Sequence, residues 1–349
     1  MDQKNIAVVF GGVSSEHEIS LISATTVIEN LNPEKYQVYL IGITKEGTFL
    51  YYTGDVSKIK TGEWEQGPVC ECVISPSRQH HGMICFRDGK KEVIRLDCVI
   101  PALHGKNGED GTIQGLFQLA GIPFVGCDTL SSAACMDKQM THIVLANAGV
   151  RMAKWLAVTQ HAVPENIVQL VAEKLGYPAY VKPANAGSSY GVSRAKTPEE
   201  LASALDLAFQ YDRKVIIEEQ IVGREVECAV LGNEDAEAST AGEIEPANEF
   251  YDFESKYVSG DSILHIPARL KPDVLEHLRQ TAVKAYHALG CAGLTRVDFF
   301  VTEQDEVILN ELNTFPGFTG ISMYPKLWEH GGVPIPHLLD RLIDCAIAR

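Results

Sequence analysis

The segment that most constrains the fold is residues 295–314, TRVDFFVTEQDEVILNELNT. Two runs of strand-forming residues flank a short polar turn, a pattern typical of an antiparallel β-hairpin. Residues two apart on a strand share a face, so Arg296 and Asp298 are expected to point the same way. Glu311 and Asn313 do the same on the partner strand. The hairpin is therefore predicted to carry one arginine, two carboxylates and one amide on a single patch.

This patch has two interpretations. A hard cation such as Mg²⁺ takes oxygen ligands and is usually held by one or two carboxylates together with substrate phosphates. The alternative is a solvated face of an edge hairpin. The intervening residues Val297, Phe299, Leu309 and Leu312 are apolar and indicate a buried hairpin, which favours the cation site.

A second candidate site is the segment YVKPANAGSSYGV, residues 180–192. Lys182 ends one predicted strand, and a Gly-Ser-Ser loop leads into the next. Backbone amides and hydroxyls of such a loop can surround phosphate oxygens while the lysine supplies charge. A simple Gly-Ser turn is the alternative. Lys138 in MDKQMTH is a weaker candidate, since a helix lysine is by default solvated. Together with the hairpin, these lysines indicate a nucleotide–metal site without a Walker motif.

The first strand and loop, residues 5–20 (NIAVVFGGVSSEHEIS), raise a different question. The loop lacks the G-x-G-x-x-G spacing and the lysine that phosphate-binding loops use, and it offers Glu16 instead. Ser15 and Glu18 match an S-x-x-E capping box at the start of a predicted helix. Glu18 then fills the capping position, which leaves Glu16 for another role. His17 is predicted to be a solvated neighbour.

Strands and helices alternate to about residue 126 and predict a parallel α/β unit. The predicted domains are residues 1–126, 127–220 and 221–349, in line with a length of 349 residues. The formal net charge of -16 argues against nucleic acid or an anionic membrane as a partner. No apolar run reaches the roughly 20 residues of a membrane span. The first residues do not resemble a signal peptide, and the nine scattered cysteines favour reduced thiols in the cytoplasm.

Several segments together carry a resemblance to a family. In order along the chain they are LHGKNGEDGTIQGLFQLAGIPFVG, MDK, VKPANAGSSYGV, EFYDFESKY, RVDFF and NELNTFPGFT. They resemble the D-alanine–D-alanine ligases of the ATP-grasp superfamily. The resemblance implies a three-domain α/β architecture, with an N-terminal parallel α/β domain and two α+β domains that sandwich ATP. It also implies an ATP-dependent ligase that joins two D-amino acids for peptidoglycan synthesis.

The resemblance also implies roles for individual residues. Asp298, Glu311 and Asn313 resemble the ligands of two Mg²⁺ or Mn²⁺ ions. The residues that resemble nucleotide-binding positions are Lys138, Lys182, Ser188, Ser189, Glu218, Glu225, Lys256 and Asn310. The segment EEQIVGRE departs from the more usual family sequence, so the adenine contacts stay open.

The substrate-binding and catalytic positions follow in the same way. Glu16 resembles the glutamate that binds the ammonium of the first D-alanine, and His104 also approaches that substrate. Ser188 and Tyr257 would link Glu16 to a closing loop at residues 248–262. The remaining roles are those of Lys256 at the γ-phosphate of ATP and of Arg296 with the Gly317 amide at the tetrahedral intermediate.

The second substrate is the point on which relatives differ. VGCDTLSSAACMDK resembles vancomycin-resistance ligases that join D-alanine to D-serine. Ser322 matches the residue that binds the second substrate's carboxylate, while the apolar Met323 and Tyr251 match the D-alanine enzymes. Lys256 and Tyr257 speak against D-lactate. We therefore favour D-alanine over D-serine.

Two further alternatives are a silent ATP-binding regulatory module and an ATP-grasp enzyme for another acid. The first should have lost a metal ligand, Arg296 or Lys182, and all are present. The second does not explain the GGVSSEHEIS and SMYP segments. The resemblance also implies a homodimer, and it leaves activation by a monovalent cation open.

Overall fold

The computed structural model describes residues 3–245 and 263–349, which form three β-sheets with helices around them. The strands of the first sheet are β1 Lys4–Gly11, β2 Tyr36–Ile43, β3 Phe49–Tyr52, β4 Val69–Ile74, β5 Gly82–Arg87, β6 Lys90–Arg95 and β7 Cys98–Pro101. Their order is β6-β5-β4-β3-β2-β1-β7. The helices of this part are α1 His17–Asn30, α2 Ser57–Lys60 and α3 Thr112–Ala120.

The parallel unit predicted from the sequence is the centre of this sheet. β1 pairs in parallel with both β2 and β7. Strands β3 to β6 extend the sheet in antiparallel fashion and were not predicted. They are short, and β6 is almost wholly exposed, so they lack the buried apolar run that marks a central strand.

The second sheet is antiparallel, with the order β10-β9-β11-β8. Its strands are β8 Trp155–Thr159, β9 Ala179–Pro183, β10 Ser193–Ala195 and β11 Lys214–Glu219. Helices α6 Ile167–Lys174 and α7 Leu201–Ala208 pack in the core of this sheet, whereas α4 Thr129–Met136 and α5 Lys138–Asn147 contribute to the core of the third sheet. Asp137 separates two of these helices, because it ends α4 and caps α5 by accepting the Met140 N–H at 3.1 Å.

The third sheet, also antiparallel, has the order β14-β13-β12-β15-β16. Its strands are β12 Arg224–Gly232, β13 Glu237–Glu245, β14 Ile263–His265, β15 Gly293–Val301 and β16 Val307–Asn313. Helices α8 Pro272–Ala288, α9 Met323–His330 and α10 Ile335–Ile347 complete this part. β15 and β16 are the predicted hairpin, which is confirmed.

The two faces of the third sheet have different neighbours. One face, through Val226 and Val297, packs in a core with α8. The other face, through Ala229 and Leu294, shares a core with α9, α10 and the first sheet. This shared core joins the first sheet to the third and so sets the spacing between the Glu16 loop and the hairpin patch. None of the described helices is both long and apolar enough to cross a membrane.

Candidate active site

Glu16 lies where the first sheet meets the glycine loop of the second. Its carboxylate accepts a hydrogen bond from the Ser188 hydroxyl, the contact expected from the sequence. Two glycines make room for it. A Cβ at Gly105 would lie 2.3 Å from Glu16 Oε2, and one at Gly187 would lie 3.1 Å away. Gly105 also has a φ of +67°, which a side chain would strain. The glycines thus serve a carboxylate that is only 7% exposed.

The capping-box prediction is wrong. α1 begins at His17, and Glu16 occupies its N-cap position without a side-chain capping bond. Glu18 instead pairs with Lys45. His17 is also not the solvated neighbour predicted, because it is buried and donates from Nδ1 to the Gly12 carbonyl at 2.8 Å. The Glu16 side chain therefore makes no capping bond to α1, and its carboxylate lines a cavity.

The hairpin patch is a tight charge network. Arg296 donates from Nε and Nη2 to the two oxygens of Asp298, each at 2.7 Å. Asn313 Nδ2 donates to Asp298 Oδ2 at 2.9 Å. Asp298 lies directly opposite Glu311 in the register. A bulge after Asp298 makes Asn310 an extra residue of β16. Asn310 and Glu311 both line a cleft between the second and third sheets.

Glu227 joins this network and was missed from the sequence. Its Oε2 lies 3.1 Å from Arg296 Nε. Glu227 lies on β12, directly opposite Asp298 on β15. The segment EVECAVLG held the signal, since Glu225 and Glu227 are two apart and must share a face of a mostly apolar strand.

The loop that carries Gly317 is held by residues from the predicted first domain. His104 Nδ1 lies 3.2 Å from the Phe315 carbonyl, which can only accept, so this nitrogen carries the proton. His104 Nε2 then accepts from the Ser23 hydroxyl at 2.8 Å, and Ser23 Oγ accepts the Phe318 N–H at 3.3 Å. Burial lowers the pKa of His104 to about 4, so the ring is neutral. The sequence placed His104 near the substrate, and the structure adds that both nitrogens are committed to protein groups.

Glu109 is a second anchor of this loop that sequence reasoning missed. Its carboxylate accepts the Gly105 N–H at 2.7 Å and the Phe315 N–H at 3.2 Å. Burial, and then the neighbouring charge of Glu16, raise the pKa of Glu109. The two carboxylates therefore resist being ionised together.

These groups surround a cavity of about 110 Å³. Its polar lining includes residues from all three predicted domains: Glu16, His104, Glu109, Lys138, Ser188, Glu227, Arg296, Glu311, Asn313 and Ser322. Gly317 and Met323 line it as well. An acidic group and an arginine in one small cavity suit a zwitterionic amino acid, whose ammonium pairs with a carboxylate and whose carboxylate pairs with a guanidinium.

An adjoining cleft of about 980 Å³ lies between the second and third sheets and has the volume of a nucleotide site. The predicted nucleotide residues that line it are Lys138, Lys182, Ser188, Ser189, Glu218, Glu225 and Asn310. Four further basic residues line it that the sequence did not single out: Arg194, Lys196, Arg224 and Arg269. Acidic residues line the cleft as well, and two of them, Glu243 and Glu245, pair with Arg269.

Lys182 and Glu218 form a buried ion pair in this cleft. Lys182 Nζ lies 2.5 Å from Glu218 Oε2, and His142 Nε2 lies 2.6 Å from the other oxygen. Burial alone would favour a neutral Glu218, but Lys182 and His142 outweigh it and lower the pKa of Glu218 to about 2. His142 was not identified from the sequence. Lys138 donates to the Ala186 carbonyl at 2.7 Å and so holds the glycine loop.

This pair makes stability depend on acid pH. The pKa of Glu218 falls from its usual 4.5 to about 2, so its stabilisation is present above pH 4.5 and is lost as the pH falls from 4.5 towards 2. We expect this group to contribute about 3 kcal/mol to the full loss, of which about 2 kcal/mol has occurred at pH 3. Thermal unfolding followed at neutral pH and at about pH 3 measures the change. A smaller dependence in Lys182→Met/Glu218→Gln than in wild type is expected, and an equal dependence would contradict the assignment.

Three predicted site residues, Tyr251, Lys256 and Tyr257, lie outside the described residues, as does the whole of the loop at 248–262.

Comparison with known families decides the relationship of this chain. The family described as D-ala D-ala ligase N-terminus matches residues 5–127, and D-ala D-ala ligase C-terminus matches residues 144–344. The chain belongs to the D-alanine–D-alanine ligase family. The two matches cover most of the chain and include Glu16, His104, Glu227 and Arg296 of the cavity.

Individual relatives agree with this. The D-alanine–D-alanine ligase of Acetivibrio thermocellus is 50% identical over 365 residues, covering 100% of this chain and 97% of that protein. That of a Thermoanaerobacter species is 49% identical, covering 99% and 97%. Among solved structures, the VanG D-Ala:D-Ser ligase of Enterococcus faecalis has a TM-score of 0.91 at 42% identity, covering 99% and 100%. The D-alanine–D-alanine ligase of Coxiella burnetii has a TM-score of 0.87 at 35% identity, covering 99% and 96%. These structures bear out the ATP-grasp architecture predicted from the sequence.

The oxygen donors on the β15–β16 hairpin fit a divalent cation. In residues 3–245 and 263–349 no cluster of three or more His, Cys, Asp or Glu could hold a metal by itself. Asp298 and Glu311 supply two carboxylates and Asn313 an amide oxygen within one hydrogen-bonded patch. This set suits a hard ion that completes its coordination with substrate phosphates.

The far end of the ligase cavity is formed by Ser322 and Met323. Ser322 Oγ accepts the Thr319 N–H at 3.0 Å and lies 2.8 Å from the Thr319 hydroxyl. Met323 is buried, and a Cβ at Gly242 would lie 2.4 Å from its sulfur. The methionine is thus packed against β13 and gives the cavity an apolar wall.

Proposed function

We propose that this chain joins two D-alanines to D-alanyl-D-alanine with ATP, through a D-alanyl phosphate intermediate, for peptidoglycan precursor synthesis. The observation that carries the proposal is the small cavity in which Glu16 and Arg296 lie beside a nucleotide-sized cleft lined by Lys138 and Lys182. Such a cavity can bind an ammonium and a carboxylate next to a phosphate donor. Curated relatives that span the whole chain bear the name of this ligase.

In the first step, a carboxylate oxygen of the first D-alanine attacks the γ-phosphorus of ATP, and ADP leaves. Glu16 binds the ammonium of that D-alanine, and Ser188 holds Glu16. Lys138, Lys182, Ser188, Ser189, Glu218, Glu225 and Asn310 bind the nucleotide. Divalent cations held by Asp298, Glu311 and Asn313 would neutralise phosphate charge. Lys256 would add charge at the γ-phosphate, and Tyr257 would join the Glu16–Ser188 pair.

In the second step, the amine of the second D-alanine attacks the acyl carbon, and inorganic phosphate leaves. Negative charge develops on the carbonyl oxygen, where Arg296 and the Gly317 amide donate hydrogen bonds. Ser322 binds the second carboxylate, while Met323 and Tyr251 line the pocket for the methyl group. His104 is a positioning residue, because it fixes the loop that carries Gly317.

Assembly and location are also proposed on the family resemblance. We infer a cytoplasmic homodimer with domains at 1–126, 127–220 and 221–349. Size-exclusion chromatography with light scattering tests the dimer, and a mass twice that of one chain is expected.

The catalytic proposal is tested by phosphate release from ATP with D-alanine, with L-alanine and without amino acid. Release that depends on D-alanine is expected. Glu16→Gln removes the charge that pairs with the ammonium and should raise the KM for D-alanine more than the KM for ATP. Release that is independent of D-alanine would contradict the proposal.

A D-alanine–D-serine ligase is the second candidate, favoured by the similarity to the VanG ligase. The Met323 wall offers no partner for a hydroxyl, although an apolar pocket excludes an added hydroxyl only moderately, by up to about 100-fold. We therefore expect kcat/KM for D-serine as second substrate to be about 10- to 100-fold below that for D-alanine. Steady-state assays at fixed ATP measure the ratio. Equal values would make the second candidate correct.

A further inference from the structure

Glu227 is a buried carboxylate for which the ligase mechanism above gives no task. It is 7% exposed, and it lies on β12 directly opposite Asp298 on β15. A buried carboxylate is costly unless a counter-ion compensates it, and one such counter-ion is Arg296, whose Nε lies 3.1 Å from Glu227 Oε2. Both side chains line the substrate cavity.

Two carboxylates compete for one guanidinium at this point. Asp298 accepts from Arg296 Nε and Nη2 at 2.7 Å, and Glu227 approaches the same Nε from the neighbouring strand. Glu311 faces Asp298 from β16 as a third carboxylate. Three carboxylates thus lie around one guanidinium, and carboxylate oxygens are ligands that a divalent cation prefers.

Arg296 and a divalent cation cannot both bind the two carboxylate oxygens of Asp298. Asp298 Oδ2 already accepts from Arg296 and from Asn313. A cation on Asp298 also repels a guanidinium a few ångströms away, because the site is largely shielded from water. Arg296 must then loosen its two-point contact with Asp298, and Glu227 is the anion already in place to keep it in the cavity.

We propose that Glu227 is a positioning residue that retains Arg296 in the substrate cavity when Asp298 binds a divalent cation. The inference rests on the proposed function for its role in the reaction. A single contact through Nε leaves the terminal nitrogens of Arg296 able to donate to the oxyanion. Without Glu227, Arg296 loses the acceptor on β12 to which it can shift when a cation binds Asp298.

The test is Mn²⁺ affinity, followed by electron paramagnetic resonance in the presence of ADP, in a double-mutant cycle. Glu227→Ala is expected to weaken Mn²⁺ binding about 10-fold in the wild-type background and by less than about 2-fold in the Arg296→Ala background. Glu227→Gln keeps an acceptor without the charge, and its Mn²⁺ affinity should lie between those of wild type and Glu227→Ala. Asp340→Asn is the matched control, since it removes a partly buried carboxylate bound to Tyr36 and Lys35 far from the cavity. Its Mn²⁺ affinity should not change.

Equal weakening in both backgrounds would make Glu227 a metal ligand and overturn the proposal. Unchanged affinity in both backgrounds would make its role structural and overturn it as well. The ligase assay separates the two proposals. If wild type makes the dipeptide and the double-mutant cycle shows no coupling, only the proposed role of Glu227 is wrong. If the cycle shows the coupling but wild type has no D-alanine-dependent reaction, only the proposed reaction is wrong.

Discussion

Replacement of Arg296 by alanine is expected to lower kcat by about 100- to 1,000-fold, the usual cost of removing one donor to an oxyanion. In the proposed second step, the Arg296 guanidinium donates to the carbonyl oxygen on which negative charge develops. The KM for ATP should change by less than about 2-fold, because the proposed binding site of the phosphates is the adjoining cleft. Coupled assays of ADP formation with varied ATP measure both parameters.

Arg296→Ala also removes a counter-ion from Asp298 and Glu227, so its folding needs a control. Thermal unfolding of the variant should show one transition at a temperature above the assay temperature. Arg341→Ala removes a half-exposed arginine paired with Glu237 on the surface, and its kcat should equal that of wild type. A normal kcat for folded Arg296→Ala would contradict the assignment of Arg296 to the oxyanion.

Replacement of Lys182 by methionine is expected to lower the free energy of unfolding by about 3 to 5 kcal/mol. The change leaves Glu218 buried with only His142 as a partner, since the pair joins a lysine 16% exposed to a glutamate 7% exposed. The KM for ATP should also rise, by about 10-fold or more, because the cleft loses a phosphate-binding charge. Denaturant unfolding and ATP titration measure the two effects.

A second variant separates these effects. Lys182→Met/Glu218→Gln removes both charges and should recover most of the stability without recovering ATP affinity. Lys154→Met is the matched surface control, because Lys154 pairs with Glu219 at 3.1 Å but is 69% exposed. It should cost less than about 1 kcal/mol. Full stability in Lys182→Met would show that the ion pair does not stabilise the fold.

The hairpin could be predicted because its signal is local. Strand-forming residues on both sides of a polar turn indicate the pairing, and the period of two fixes which side chains share a face. Strands β3 to β6 gave no such signal, since they are short and partly exposed. The predicted capping box does not form, because other contacts engage these segments. Ser14, not Ser15, accepts the Glu16 N–H, and Glu18 pairs with Lys45.

The supporting residues of the site could not be predicted, because their partners are distant in sequence. Glu109 and Phe315 are separated by 206 positions, and His104 and Phe315 by 211. No periodicity in either segment encodes such a contact. His142 is similar, since a histidine within a helix gives no indication that a buried Glu218 lies beside it. Sequence patterns thus located the charged groups, and folding determined which groups hold them in place.

The most direct test is to incubate the protein with ATP, Mg²⁺ and equal amounts of D-alanine and D-serine, and to identify the dipeptide by mass spectrometry alongside released phosphate. We predict that D-alanyl-D-alanine is the dominant product, with one phosphate for each dipeptide. Dominant D-alanyl-D-serine would contradict the assignment of the Met323 pocket to D-alanine. Phosphate without any dipeptide would contradict ligation itself.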